Sequence, residues 1–107
     1  MVATPHRVGD WKLVDSGRDF LAWHRDLGGR GTNKRNAAVW VEDSATGEGF
    51  IAWAHVEPEG GPTVHIVDNG EEVFRAEAIE RAMDWMRRNP RWPEHRAGTG
   101  GMSGGWL

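Results

Sequence analysis

One segment near the end of the chain, Phe74 to Arg88, has the spacing of an amphipathic helix. Its apolar residues recur three, four and three positions apart: Ala76, Ile79, Met83 and Met86. This spacing places them on one helix face. Two arginines lie at the end of the segment, where their positive charge interacts favourably with the negative end of the helix dipole. Asn89-Pro90 then ends the helix, because a residue before proline avoids the α conformation. The segment predicts one long helix with an apolar stripe.

The start of this helix has two interpretations. Asp68-Asn69-Gly70 follows an alternating apolar segment and favours a tight turn, with Glu71 to Phe74 as a returning strand and the helix after it. Alternatively, Asn69 caps a helix that begins near Glu71, and Glu72 completes a capping box. The later start is favoured, because Asn-Gly after an alternating strand is a strong turn signal.

Five short segments before the helix have the composition of β-strands bounded by turn residues. They are residues 8–14, 19–25, 38–42, 50–56 and 63–67. Residues 27–36 are predicted to form a loop, since they include three glycines and no apolar periodicity. We therefore predict an α+β fold, an antiparallel sheet of four to five strands with one C-terminal helix packed on one face.

Length and composition indicate one domain, residues 1–93, followed by a Gly-rich C-terminal tail, residues 94–107, that is expected to be flexible. The chain has no cysteine, so disulfides and thiolate chemistry are excluded. No apolar run approaches the roughly 18 residues of a membrane helix, and the N-terminus lacks a signal-peptide pattern. A cytoplasmic location without membrane contact is expected.

The predicted strands are apolar on both faces, which is the most informative feature of the sequence. In the segment 50–56, Phe50, Ala52, Ala54 and Val56 alternate with Ile51 and Trp53. An antiparallel sheet with one solvated face would instead alternate apolar and polar residues. One helix of about 14 residues is about 21 Å long and covers one face only. The second face is expected to need a cover, from a second subunit, the tail or a partner.

The favoured function is therefore a small non-enzymatic domain that self-associates, as a homo-oligomer such as a dimer, or binds a protein partner. The binding surface would be the sheet face that the helix leaves uncovered. Three tryptophans from different predicted strands are expected near it: Trp23, Trp40 and Trp53. Trp106, at the end of the tail, is a further candidate docking residue.

The charge pattern supports an alternative function, nucleic-acid binding. Residues 1–36 hold seven Lys/Arg and four Asp/Glu, residues 37–86 hold two and eleven, and residues 87–107 hold four and one, which gives +3, −9 and +3. Basic ends around an acidic middle favour an anionic partner. The candidate residues lie in and beside the glycine-rich loop and at or just after the end of the helix: Arg25, Arg30, Lys34, Arg35, Arg87, Arg88 and Arg91.

Motifs for catalysis or cofactors are weak. Gly47 to Ala52 matches the letters of a dinucleotide fingerprint, but that motif needs a following helix and here precedes a strand pattern. His55 and His65 flank a turn and could face each other as metal ligands, and Glu57 and Glu59 could act as acid–base groups beside them. No spacing requires either role. We predict no catalytic residues, no metal site and no cofactor.

The stretch Glu77 to Pro90, EAIERAMDWMRRNP, resembles the terminal helix of small uncharacterised proteins common in haloarchaea. In those proteins a short antiparallel sheet precedes a helix that ends in a Trp-Met pair followed by Asn-Pro or His-Pro. The resemblance covers this helix alone. It implies a β-β-β-α arrangement and no particular activity.

Overall fold

A computed structural model describes residues 4–58 and 61–94. In these ranges the chain forms six strands, one α-helix and a short 3₁₀ turn, which confirms the α+β class. The elements are β1 (Arg7–Val8), β2 (Trp11–Ser16), β3 (Phe20–Gly28), the 3₁₀ turn (Gly31–Asn33), β4 (Arg35–Asp43), β5 (Phe50–Glu57), β6 (Val64–Val67) and α1 (Arg75–Arg88). Apart from Glu94, the predicted tail, including Trp106, lies outside the described residues.

The strands form one antiparallel sheet in chain order, β1 to β6. The sheet therefore has six strands, more than the four to five predicted. The extra strand arises because the predicted first strand is interrupted at Gly9, whose φ of 60° lets the chain reverse so that Val8 pairs with Trp11.

The predicted loop at residues 27–36 is shorter than expected. β3 continues to Gly28 and β4 begins at Arg35, so that only a 3₁₀ turn and its flanks remain between them. Backbone pairing explains the difference, since Asp26 pairs with Asn36 although neither residue is apolar. The residue composition of a segment does not show which of its residues pair with a neighbouring strand.

The helix α1 begins at Arg75, which confirms the later start, and ends at Arg88 before Asn89-Pro90. The preceding residues form no returning strand; Val73 makes a single bridge to Phe50. The buried stripe of α1 consists of Ala78, Ile79, Ala82, Met83 and Met86. Ala76 was expected in this stripe, but it lies exposed on its flank in the first turn.

The core lies between α1 and one face of the sheet, which we call the inner face. Its fully buried residues include Trp11, Leu21, Trp23, Val39, Val41, Ala52, Ala54 and Val67. Alanines on both partners, Ala52 and Ala54 on β5 and Ala78 and Ala82 on α1, have no exposed surface, so the helix lies close to the strands. At the far end of the helix, Trp11 Nε1 donates to the carbonyl of Asn89 at 3.3 Å.

Candidate functional site

The face of the sheet opposite α1, which we call the outer face, carries a continuous band of apolar and aromatic residues. Strand register aligns them in two rows. Ala22, Trp40 and Trp53 are cross-strand neighbours, with His65 beyond them, and His24, Ala38 and His55 form the next row. The second apolar face expected from the sequence is therefore present, and no helix of the described chain lies on it.

Five rings on the outer face contact one another, and we call them the aromatic cluster: Phe20, Trp40, Trp53, His55 and His65. Trp40 is central, with ring centroids 5.1 Å from Phe20, 5.4 Å from Trp53 and 4.3 Å from His55, each in an edge-to-face arrangement. The His55 ring lies parallel to the Trp53 ring at 4.2 Å, and the His65 ring is parallel to it at 6.2 Å. Edge-to-face and offset contacts are those that aromatic quadrupoles favour.

The aromatic cluster shields an apolar floor. Ala38 has no exposed surface, and Ala22, Ile51 and His55 are 3%, 7% and 8% exposed, although α1 lies on the other side of the sheet. Trp40 and Trp53 themselves are only half-buried. The outer face is thus covered by an aromatic layer, and the side of this layer that faces away from the sheet is exposed to solvent.

Polar groups border this layer. Trp53 Nε1 donates to Glu42 Oε2 at 2.7 Å. At the other side, one carboxylate faces two imidazoles: Glu57 lies 3.1 Å from His55 Nε2 and 3.4 Å from His24 Nε2. An ionised carboxylate only accepts, so the His55 tautomer that bonds Glu57 carries its proton on Nε2. His55 Nδ1 is buried and has no partner among the described residues.

These polar groups form no metal-binding cluster within the part of the chain that the structure describes. Residues 4–58 and 61–94 contain no cluster of three or more His, Cys, Asp or Glu side chains arranged to hold a metal ion. His65 pairs across the sheet with Trp53, so His55 and His65 do not face each other as the sequence suggested. The register explains the correction, because Ala54 pairs with Val64 and His65 therefore lies opposite Trp53, two residues before His55. Glu59 falls outside the described residues.

The three tryptophans predicted at the binding surface are divided between the two faces. Trp40 and Trp53 share the outer face, but Trp23 lies on the inner face, fully buried beside Val39. Trp23 is therefore unavailable to a partner. The alternation along the strand already places Trp23 and Phe20 on opposite faces of the sheet. Only the register between β3 and β4 shows that Phe20, and not Trp23, lies on the same face as Trp40. For this reason the sequence did not identify Phe20, Ala38 and Glu42 as residues of the outer face.

The two basic segments meet at one end of the domain. The Arg25 guanidinium donates from Nη2 to the carbonyls of Arg91 and Trp92, both at 2.8 Å, and from Nε to Trp92 at 3.2 Å. Segments that are more than 60 residues apart in the chain thereby come together. We call this region, residues 25–36 and 84–94, the basic end; it holds seven Lys/Arg against three Asp/Glu, a net +4.

Some of the predicted nucleic-acid-binding residues are occupied by internal contacts. Arg25 holds the carbonyls just described, Lys34 pairs with Asp26, and Arg88 pairs with Asp84 at 2.8 Å. The hydrogen bond from Lys34 holds the pKa of Asp26 below its ordinary value. The others are exposed and have no carboxylate of the described residues within 4.0 Å: Arg30, Arg35, Arg87 and Arg91.

The opposite end of the sheet is acidic. Residues 15–19, 42–49 and 68–77 hold nine Asp/Glu and two Lys/Arg, a net −7. They are brought together by the pairing of Phe20 with Glu42 and by a hydrogen bond from the Ala45 amide to Asn69 Oδ1 at 2.9 Å. Most of the charged residues are thus divided between two ends of one molecule, the acidic end and the basic end, although Glu57 lies across from Asn36 beside the basic end.

A groove of about 710 Å³ lies between β6 and the second half of α1. Its apolar lining includes Ile66, Met83 and Trp85, and both carboxylates and guanidinium groups border it. Arg81 crosses it, donating to the carbonyl of Ile66 at 3.1 Å and to Glu71 at 2.7 Å. Arg81 therefore satisfies part of the open edge of β6.

No family model matches the chain, and no curated protein or solved structure shows significant similarity to it. The resemblance of α1 to haloarchaeal proteins stays a prediction. Among the described residues, no helix has the length and apolar character needed to cross a bilayer.

Proposed function

We propose that this protein is a self-associating domain that pairs with a second copy through the outer face. One observation carries the proposal: the outer face has an apolar floor, Ala22, Ala38 and Ile51, beneath a half-buried aromatic layer. Where one face of an antiparallel sheet stays in water, the residues on that face are expected to be polar. Burying the aromatic layer against another molecule removes its remaining apolar surface from water.

The dimensions of the outer face suit a small dimer. Six strands about 4.8 Å apart make a sheet about 24 Å wide. β3 and β4, with nine residues each, are about 30 Å long. Because β1 and β6 are short, the face offers about 650 Å² per copy, or about 1,300 Å² in a pair, at the lower end of standard specific interfaces. An interface of this size is compatible with micromolar affinity.

Charge favours a second copy as the occupant. A two-fold axis that lies in the interface and runs across the strands places the acidic end of one copy opposite the basic end of the other. The same arrangement repeats on the other side of the axis, as an isologous interface requires. Complementary ends fix the orientation of the pair and steer the encounter more than they add affinity.

Sedimentation velocity from about 1 μM to about 1 mM, a range that brackets micromolar affinity, tests this proposal. The wild type is expected to shift from monomer to dimer over the range. Phe20→Lys introduces a charge on the outer face directly across from Glu42, with which it is expected to pair in the folded monomer. This variant is expected to stay monomeric.

The matched control is Phe74→Lys. Phe74 is 86% exposed at the N-cap of α1, away from the outer face. This variant makes the same chemical change and is expected to dimerise like the wild type. A wild type that remains monomeric throughout, or equal behaviour of the two variants, would contradict the proposal.

A further inference from the structure

We propose that the basic end is a binding site for the phosphate backbone of double-stranded nucleic acid, independent of the pairing through the outer face. The site is assembled by the Arg25 contacts to the carbonyls of Arg91 and Trp92, which join the β3–β4 loop to the segment after α1. The Arg25 side chain is only 11% exposed, so it organises the site and does not itself reach a ligand.

Four exposed arginines supply the contacts, two from each segment: Arg30, Arg35, Arg87 and Arg91. Their guanidinium groups have no carboxylate partner within 4.0 Å anywhere in residues 4–58 and 61–94. Phosphate oxygens match the planar donor fork of arginine. Within a single copy, the acidic end lies at the other end of the strands, so its charge repels a polyanion least here.

The aromatic residues at this end favour a duplex over a single strand. Trp11 and Trp92 are 0% and 7% exposed, and both contact Trp85, with ring centroids at 6.0 Å and 5.4 Å. Their burial leaves no ring face open to a base, and the Arg25 guanidinium lies over Trp11. Single-strand binding relies on exposed rings on which bases stack, whereas backbone contacts alone suffice for sequence-independent binding of a duplex.

The site is separate from the outer face. Arg35 follows the alternation of β4 and falls on the same side as Ala37, an inner-face residue. Arg87 and Arg91 belong to α1 and to the turn after it, on the inner side of the sheet. Pairing through the outer face therefore leaves Arg35, Arg87 and Arg91 uncovered in both copies, with the acidic end of the partner on the far side of the sheet from them.

Fluorescence anisotropy with a labelled duplex of arbitrary sequence, at two salt concentrations, tests the proposal. Four phosphate contacts predict that the affinity falls about 100-fold for a fourfold rise in salt. Arg35→Glu and Arg87→Glu, one in each basic segment, are each expected to weaken binding and to reduce the salt slope by about one. Circular dichroism confirms that each variant is folded.

Arg18→Glu is the matched control, because Arg18 is an exposed arginine in the turn at the acidic end. It makes the same charge change, and the duplex affinity is expected to change little. No duplex binding at the lower salt concentration overturns the proposal, as does an equal loss in Arg18→Glu and Arg35→Glu. Binding to anionic vesicles without duplex binding overturns it as well, since that would assign the site to a lipid surface.

These outcomes are separable from those of the proposed pairing. Phe20→Lys is expected to be monomeric and still to bind the duplex. Arg35→Glu is expected to lose duplex affinity while it continues to dimerise. Loss of both properties in both variants would contradict the independence of the two surfaces.

Discussion

Replacing Arg25 by lysine tests the contact that joins the two basic segments. In the wild type, two nitrogens of one guanidinium reach two carbonyls in three contacts between 2.8 and 3.2 Å. A lysine keeps the positive charge, but its side chain ends one bond short of Nη2, the atom that donates to both carbonyls. Its ammonium also lacks the planar fork of the guanidinium, so at least one carbonyl is expected to lose its donor.

The cost follows from the contacts that lysine cannot replace. A hydrogen bond to a charged group contributes about 1.5–3 kcal/mol. One carbonyl loses its donor. The exposed contact to the carbonyl of Arg91 counts for less, because water can replace it there. We therefore expect the free energy of unfolding to fall by about 2 kcal/mol. With a urea m-value of about 1.5 kcal/mol per molar for a small domain, the unfolding midpoint falls by about 1.3 M.

Urea unfolding followed by circular dichroism measures this change, and Arg35→Lys is the control at an exposed arginine. Hydrogen exchange adds a local readout, because the Glu94 amide donates to the Arg91 carbonyl at 2.7 Å in the turn that Arg25 holds. Faster exchange of that amide is expected in Arg25→Lys. An unchanged midpoint, or an equal fall in Arg35→Lys, would refute the argument that Arg25 joins the segments.

Two further substitutions test the core and the edge of the sheet. Ala82→Leu inserts a larger side chain where α1 meets the sheet with no exposed surface and is expected to cost about 1–3 kcal/mol; Ala76→Leu, on the exposed flank of the same helix, is expected to be nearly neutral in thermal unfolding. The hydrogen bond from Arg81 lowers the pKa of Glu71 from its ordinary value of 4.5, so Glu71 stabilises the fold above that value and loses its contribution as pH falls through the lowered pKa. Glu71→Gln should therefore be less stable than the wild type near neutral pH, and the difference between their urea midpoints should vanish in acid; a constant difference across pH would contradict the assignment.

Local signals predicted much of the fold. Asn89-Pro90 ended the helix as expected, and β5 followed the alternation in residues 50–56 closely. The strand boundaries were predicted wrongly where a single residue or a single backbone pairing determines the course of the chain. Gly9 divides the first strand by its positive φ, and the composition of residues 27–36 hides the pairing of Asp26 with Asn36.

The candidate surfaces were less accessible to sequence reasoning, because both depend on contacts between distant segments. The sequence indicated that the strands are apolar on both sides, but the register decides that Trp23 is buried and that Phe20 joins Trp40. Similarly, the charge blocks were visible, whereas the Arg25 contacts that unite the two basic segments were not. No local pattern predicts a guanidinium that binds carbonyls more than 60 residues away.

Pairing through the outer face is the central claim, and tryptophan-specific NMR tests it most directly. In protein labelled with 5-fluorotryptophan, each indole gives a ¹⁹F signal that is assigned by a Trp→Phe variant. The signals of Trp40 and Trp53 are expected to shift as the protein concentration rises, while those of the buried Trp11 and Trp23 stay constant. Signals of Trp40 and Trp53 that do not move over a range in which a dimer forms would contradict pairing through this face.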